Sequence, residues 1–237
     1  MNLATDAAFP DVTRADAGTI LVSPWIVGTP QRQHAAINAT LAEWTHAPLP
    51  QGFLSLSCFA STDGRTVLNY AQWTSDGAHL AFMQTARPAL VREIDAVVPG
   101  IERPGVTRYR LDRSVVPKDQ PRRTPTAMIA VTFDVDNAAV QRTLIDSLVT
   151  TGPALTDPHP GLIAAHFHAS IDGRRVLNYS EWTDIAAHAD FLASATSART
   201  RAIVETIPGV ALFGFTRYRL HGSLAAPASR ILAQKTE

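Results

Sequence analysis

Cysteine is almost absent from these 237 residues: Cys58 stands alone. One thiol excludes an internal disulfide and any cysteine-built zinc cluster, and it suits a reducing cytoplasm. Lysine is nearly as scarce, with only Lys118 and Lys235 among 21 basic residues. Those are balanced by 21 acidic residues, so the formal net charge is zero. No electrostatic footprint for nucleic acid or an anionic membrane is present. The chain also lacks the run of about 18 apolar residues from which a membrane-spanning helix is built. Its first residues, with Asp6, Asp11 and Asp16, lack the basic and apolar stretches of a secretion signal. These absences leave a cytoplasmic protein of ordinary globular composition, 46% hydrophobic and 18% charged.

What is present is a repeat. STDGRTVLNYAQWT from Ser61 matches SIDGRRVLNYSEWT from Ser170 at an offset of 109 residues. The same offset aligns Pro99-Gly100 with Pro208-Gly209, and TRYRL from Thr107 with TRYRL from Thr216. From Gly52 to Leu111 the two copies agree at 27 of 60 positions without a gap. Such agreement points to a duplicated unit of about a hundred residues, far longer than the repeats of a solenoid. The stretch VVPKDQPRRTPT, residues 115–126, is proline-rich, charged and aperiodic, as a linker is. The expected organisation is therefore an N-terminal arm (1–17), repeat 1 (18–114), linker (115–126), repeat 2 (127–222) and a C-terminal tail (223–237).

Each copy reads as β-α-β-β-α-β. A strand rich in β-branched residues (TILVSPWIV, MIAVTFDV) leads into a helix near 30–46 or 137–151. Two strands follow, joined through Asp63-Gly64 or Asp172-Gly173, a strong hairpin signal. A second helical stretch lies near 75–98 or 184–207, and Pro88 predicts a kink or two short helices there. TRYRL sits on the last strand. This order predicts an α+β fold of two tandem ferredoxin-like units. Such a sheet carries helices on one face only, and the other face needs a cover. A sheet supplied by the twin copy is the expected cover, giving an intramolecular pseudo-dimer of barrel type that is open to further homodimerisation.

The third strand holds the candidate chemistry. Alternation puts Val67, Asn69, Ala71 and Trp73 on one face, as it does Val176, Asn178, Ser180 and Trp182 in copy two. An amide and an indole side by side can hold a flat, oxygen-bearing ligand; equally, Asn can satisfy backbone groups while Trp fills the core. Phe59 in copy one stands where His168 stands in copy two. A two-residue turn puts this position opposite Leu68 or Leu177, whereas a three-residue turn with a glycine bulge puts it on the Asn face. His166 precedes His168 on the same face. Two histidines without further ligands make a weak metal signal. Ser75 or Asp184 is a helix N-cap, and beyond it His79 or His188 precedes Phe82 or Phe191 by three residues, on the inward side. That histidine can move a proton at neutral pH or simply pack against the Phe. Arg92 and Arg201 sit in the second helical stretch, where Arg92 falls opposite Leu90, Ile94 and Val97 on a helical wheel, toward solvent, and the TRYRL residues suit sheet packing better than catalysis.

The string S-x-D-G-x-x-V-x-N-Y-x-x-W, present twice, resembles the core of the antibiotic biosynthesis monooxygenase family. The likeness is greatest to its small enzymes that oxidise anthrones and related polyphenols to quinones in aromatic polyketide pathways. It covers both repeats, and family members are usually single-repeat homodimers, so this chain resembles that dimer fused into one polypeptide. The resemblance implies a cofactor-free monooxygenase, with O2 as co-substrate, a small aromatic partner and no metal. It places the family's asparagine and tryptophan on Asn69 and Trp73, and again on Asn178 and Trp182. It places the strand histidine on His168, the helix tyrosine on His79 and His188, and the arginine on Arg92 and Arg201. Phe59, His166, Phe82 and Phe191 would contact substrate. Because Phe59 cannot carry a proton, copy two is expected to carry most of the turnover. Two other readings stay open: a haem-binding or haem-degrading relative using His79 or His188 as axial ligand, and a non-catalytic module that binds aromatics.

Overall fold

The structure is a computed structural model that describes residues 4–6, 8–117, 123–150, 152 and 157–226. The chain forms two compact units: unit 1 is residues 1–108 with 219–237, and unit 2 is residues 109–218. The elements in chain order are β1 (Ala4–Asp6), β2 (Thr19–Ile26), α1 (Pro30–His46), β3 (Phe53–Ser61), β4 (Thr66–Trp73), α2 (Asp76–Gln84), α3 (Arg87–Val97) and β5 (Thr107–Val115). There follow β6 (Ala127–Val135), α4 (Ala138–Thr150), β7 (Leu162–Ser170), β8 (Arg175–Trp182), α5 (Ile185–Leu192), α6 (Ala195–Glu205) and β9 (Val210–Ala225).

The units divide within strands and not at the proline-rich segment, whose residues 118–122 lie outside the described ones. The physical reason is strand length. TRYRL does not end either last strand: β5 runs on to Val115 and β9, 16 residues long, runs on to Ala225. From Tyr109 onward β5 pairs with β7 in unit 2. In unit 1, residues 223–225 of β9 pair with Ala4–Asp6. Within the expected arm, the described residues make contacts with unit 1. Val12 is buried, Phe9 stacks edge-on against Phe59 at 5.7 Å, and Ser223 Oγ donates to Ala8 O. The residues of the expected tail beyond 226 lie outside the described set.

Each unit has the expected ferredoxin-like order, with its first strand beside its third: β2 pairs with β4 and β4 with β3 in unit 1, and β6 with β8 and β8 with β7 in unit 2, all antiparallel. Helix α1 starts where the sequence allows it. Thr29 is extended, its hydroxyl accepts from Arg32 N–H, and Pro30 occupies the first turn, where no amide hydrogen is needed. The second helical stretch is two helices in both units, so Pro88 at the start of α3 accompanies the break in unit 1 but does not cause the one in unit 2.

The S-x-D-G string is a lock for the hairpin. Ser61 Oγ donates to Asp63 Oδ1 at 2.6 Å, and the Arg65 amide donates to the same oxygen. These bonds hold the Asp63 carboxyl below the usual carboxylate range, the serine contributing most. Gly64 has φ 75°, and a Cβ there would lie 2.5 Å from the ring of Pro30. Gln33 on α1 then ties helix to hairpin: its buried Nε2 donates to Ser61 O, Ser61 Oγ and Thr66 O. Unit 2 repeats every part, with Ser170, Asp172, Gly173 and Gln141, whose Nε2 reaches Ser170 O, Ser170 Oγ and Arg175 O.

With this turn, Phe59 pairs with Leu68 and Cys58 with Asn69; His168 pairs with Leu177 and Phe167 with Asn178. Val67 and Trp73 therefore face the helices. They join one core cluster with Ala36, Ile37 and Trp44 of α1, Phe82 of α2, and Leu90 and Ile94 of α3. The Asn/Trp face is thus the helix-covered face of the sheet, and not the face expected to need a second cover. The opposite face of unit 1, with Ile20, Phe59, Leu68 and Tyr70, is also buried. In part its cover is local: Gln72 Nε2 donates to Asp11 O at 2.9 Å.

Replacing Gln33 or Gln141 by Leu should leave three buried acceptors short of a donor. Each change should cost about 1–3 kcal/mol, read as a lower urea midpoint with little change in slope. A midpoint shift below about 0.5 kcal/mol in either variant would show that the glutamine is not the tie between helix and hairpin.

Candidate active site

In unit 1, strand, helix and loop residues line a half-open cavity of about 80 Å³, among them Ser23, Asn69, Trp73, His79, Phe82 and Arg87, with Trp44, Leu90 and Ile94 also in its wall. Asn69 is anchored by both ends of its amide. Cys58 Sγ donates to its Oδ1 at 3.3 Å, and its Nδ2 makes a long contact of 3.5 Å to Ser23 O. Burial pushes the Cys58 thiol up to about 12, so it stays protonated and serves as that donor. Trp73 packs edge-on to His79 at 5.3 Å and tilts against Phe82 at 5.1 Å. His79 is 4% exposed, and its Nδ1 is buried without a hydrogen-bond partner. Burial, with Arg108 and Arg87 nearby, pushes His79 down to about 4 against the pull of Asp76. The imidazole is therefore neutral at pH 7. Arg87 is partly desolvated, which lowers its own pKa.

Unit 2 keeps the same residue types in a different hydrogen-bond pattern. Trp182 lies edge-on to His188 at 5.1 Å, with Phe191 beside both. Its indole N–H is already spent on Ser180 Oγ at 2.9 Å. Ala71 stands at that position in unit 1 and offers no such acceptor. Arg217 Nε donates to His188 Nδ1 at 3.1 Å, which fixes the ring as the Nε2–H tautomer. Burial, Arg217 and His159 push His188 down to about 4. The Oδ1 of Asn178 is buried without a partner among the described residues, since Phe167 replaces the thiol opposite it.

Several expected site residues are placed elsewhere. His168 is completely buried on the far face of its strand, with Tyr109 and Tyr179 at its edges, and His166 lies on that face too, bonded to Ser114. Burial pushes His168 down to about 3. Phe59, its counterpart, packs against Phe9. None of the three reaches an Asn/Trp pair, so the basis for favouring copy two falls away. The cause is the hairpin register. Arg92 is exposed beside Glu93, as the helical wheel indicated, and Arg201 is exposed as well. The arginines near the histidines are Arg87 on α3 and the TRYRL residues Arg108 and Arg217, which the sequence suggested were packing residues. Comparison of the two copies carries a usable signal: Arg87 faces Thr196 at the 109-residue offset, and Asp76 faces Ile185. Among the described residues no three His, Cys, Asp or Glu side chains converge as a metal-binding group would, and no helix among them is long and apolar enough to cross a membrane.

Three buried histidines make a pH prediction. His79 and His188 stay neutral in the fold down to about pH 4, and His168 to about 3, whereas unfolded imidazoles protonate near about 6.5. Between these values the unfolded chain binds more protons, so stability is full above about pH 6.5 and falls as pH drops toward 4. The melting temperature should decline across this window, above the range where the carboxylates titrate, and His188→Phe should flatten the decline. A melting temperature constant from pH 7 to 4.5 would contradict the assignment of neutral, buried imidazoles.

No protein-family model and no curated protein sequence matches the chain. Solved structures do. An anthrone oxidase-like protein superposes with a TM-score of 0.69 at 17% identity, over 90% of this chain and 94% of that one. A protein assigned as a monooxygenase from Lactobacillus acidophilus matches with a TM-score of 0.53 at 11% identity, covering 88% and 96%. One from Fusobacterium nucleatum matches with a TM-score of 0.53 at 13% identity, covering 89% and 94%. Along most of its length, this chain therefore has the tandem ferredoxin-like α+β fold of anthrone oxidase-like and monooxygenase-type proteins.

Proposed function

We propose that the chain is a cofactor-independent monooxygenase that oxidises an anthrone or a related fused-ring polyphenol to a quinone with O2, and that unit 1 holds the working pocket. The observation that carries this reading is the convergence of Asn69, Trp73, His79 and Arg87 on one cavity. The motif resemblance and the shared fold support the substrate class.

The reaction is balanced without a further reductant: a ring CH2 and O2 give C=O and H2O. A neutral His79 takes a proton from the substrate, leaving an electron-rich enolate. That enolate transfers an electron to O2, the two radicals combine as a carbon-bound peroxide anion, the proton returns from His79 to make the hydroperoxide, and loss of water leaves the carbonyl. Asn69 Nδ2 can donate to the enolate oxygen, while the Arg87 charge favours the anion over its neutral parent. Trp73 offers a flat wall and an N–H that no neighbouring serine engages.

The cavity is too small as it stands. A cavity of roughly 150 Å³ holds a single benzene, and the cavity in unit 1 is about 80 Å³. Phe82 lines both this cavity and a surface groove between α2 and residues 48–52. It is the one residue common to both linings, so a swing of its ring would be the shortest way to join the two spaces. Substrate would therefore enter past Phe82.

With a fused-ring anthrone and metal-stripped, flavin-free protein, Asn69→Ala should lower kcat for oxygen uptake about 10²–10³-fold, the usual cost of one oxyanion donor. Asn178→Ala should leave most of the rate. A larger loss from Asn178→Ala would move the working pocket to unit 2. Activity restored only by added iron, haem or flavin would overturn the cofactor-independent reading.

A further inference from the structure

The two helix histidines differ in one hydrogen bond, and a sequence difference lies beside it. In unit 1 the β5 arginine, Arg108, forms an ion pair with Asp76: Nε lies 2.9 Å from Oδ1, a charge contact without hydrogen-bond geometry. His79 Nδ1 is left buried and unshared. In unit 2 the position of Asp76 is Ile185. The equivalent arginine, Arg217, has no carboxylate there and turns its Nε to His188 Nδ1 at 3.1 Å. Histidine and acid are three residues apart on one helix, so both face the same guanidinium.

We infer that Asp76 is a positioning residue: by holding Arg108 it keeps the Nδ1 of His79 available to take a proton, and its replacement by Ile185 leaves His188 capped by Arg217, fit to donate a hydrogen bond but not to accept a proton at that nitrogen. Resting on the oxygenase reading, this divides the labour between the units. Unit 1 deprotonates the substrate. Unit 2, with a fixed Nε2–H and an unpartnered Asn178 Oδ1, is suited to bind a hydroxylated ring without turning it over. The other charged groups that act on His79 are Arg87 on α3 and Asp76 on its own helix. For His188 they are Arg217 and His159, the latter on the loop before β7.

The test exchanges the two arrangements. Asp76→Ile should free Arg108 to cap His79 and lower kcat about 10²–10⁴-fold, the range of general-base assistance, with KM little changed. Adding Arg108→Gln removes the capping group and should restore at least tenfold of that loss. A merely structural role for Asp76, such as favouring the first turn of α2, would not be rescued by losing Arg108. In an Asn69→Ala background, Ile185→Asp should raise the residual turnover. A second readout needs no activity: imidazole nitrogen NMR should show a hydrogen-bonded Nδ1 on His188 but not on His79, and Asp76→Ile, or Asp76→Asn should the first fold poorly, should make His79 resemble His188. An unchanged kcat in Asp76→Ile, a loss not rescued by Arg108→Gln, or identical nitrogen signals in both wild-type rings would overturn the inference. If no anthrone is consumed by the wild type yet the NMR contrast appears, the oxygenase reading fails and the arginine switch stands.

Discussion

The register of the β3–β4 hairpin, and of its twin β7–β8, is the constraint on which the rest depends. Side chains alternate along a strand, so a slip of one residue would send each set to the other face. The turn prevents the slip. Asp63 is clasped by Ser61 and the Arg65 amide, Gly64 allows the backbone to pass close to Pro30, and Gln33 binds both ends of the turn from α1. In that register Asn69 and Trp73 meet the helices and line a cavity with His79, Phe82 and Arg87. The same register carries Phe59 and His168 into the packing of the other face.

Duplication has preserved the frame and relaxed the site. Hairpin lock, strand pairing and Asn/Trp spacing recur in both units, because each fixes backbone geometry. What differs lies around the polar atoms of the site. Cys58 against Phe167 decides whether the asparagine Oδ1 has a donor. Ala71 against Ser180 decides whether the indole N–H is spent internally. Asp76 against Ile185 decides where the strand arginine points. None of these changes alters the fold, and together they give two Asn/Trp/His clusters of unlike hydrogen bonding from one repeated pattern.

Much of the fold was legible because it rests on local rules. The Asp-Gly turns, Ser75 and Asp184 as helix caps and the β-branched runs each act within a few residues, and the 109-residue offset shows that the pattern occurs twice. The long reach of β5 and β9 was not legible, since nothing in TRYRL marks where a strand must stop. The site was half legible. Asn69, Trp73, His79 and Phe82 followed from alternation and helix spacing. His168 and Phe59 misled because Asp-Gly suits two turn lengths, and only the contact of α1 with the turn selects one. Arg108 and Arg217 were passed over because an arginine on a strand tells nothing of its partner on a distant helix. The wheel places Arg92 outward, where the structure has it, and Arg201 is exposed as well, so there the wheel is a better guide than the resemblance.

The central claim is that the space between sheet and helices of unit 1 receives the aromatic substrate. The most direct measurement is a crystal structure of the protein with a fused-ring quinone product. The expected result is a ring system beside Trp73, with a carbonyl oxygen within hydrogen-bond distance of Asn69 Nδ2, His79 at its edge and the Phe82 ring displaced. A quinone bound only beside Asn178, or against the face of Phe59 and Tyr70, would contradict it.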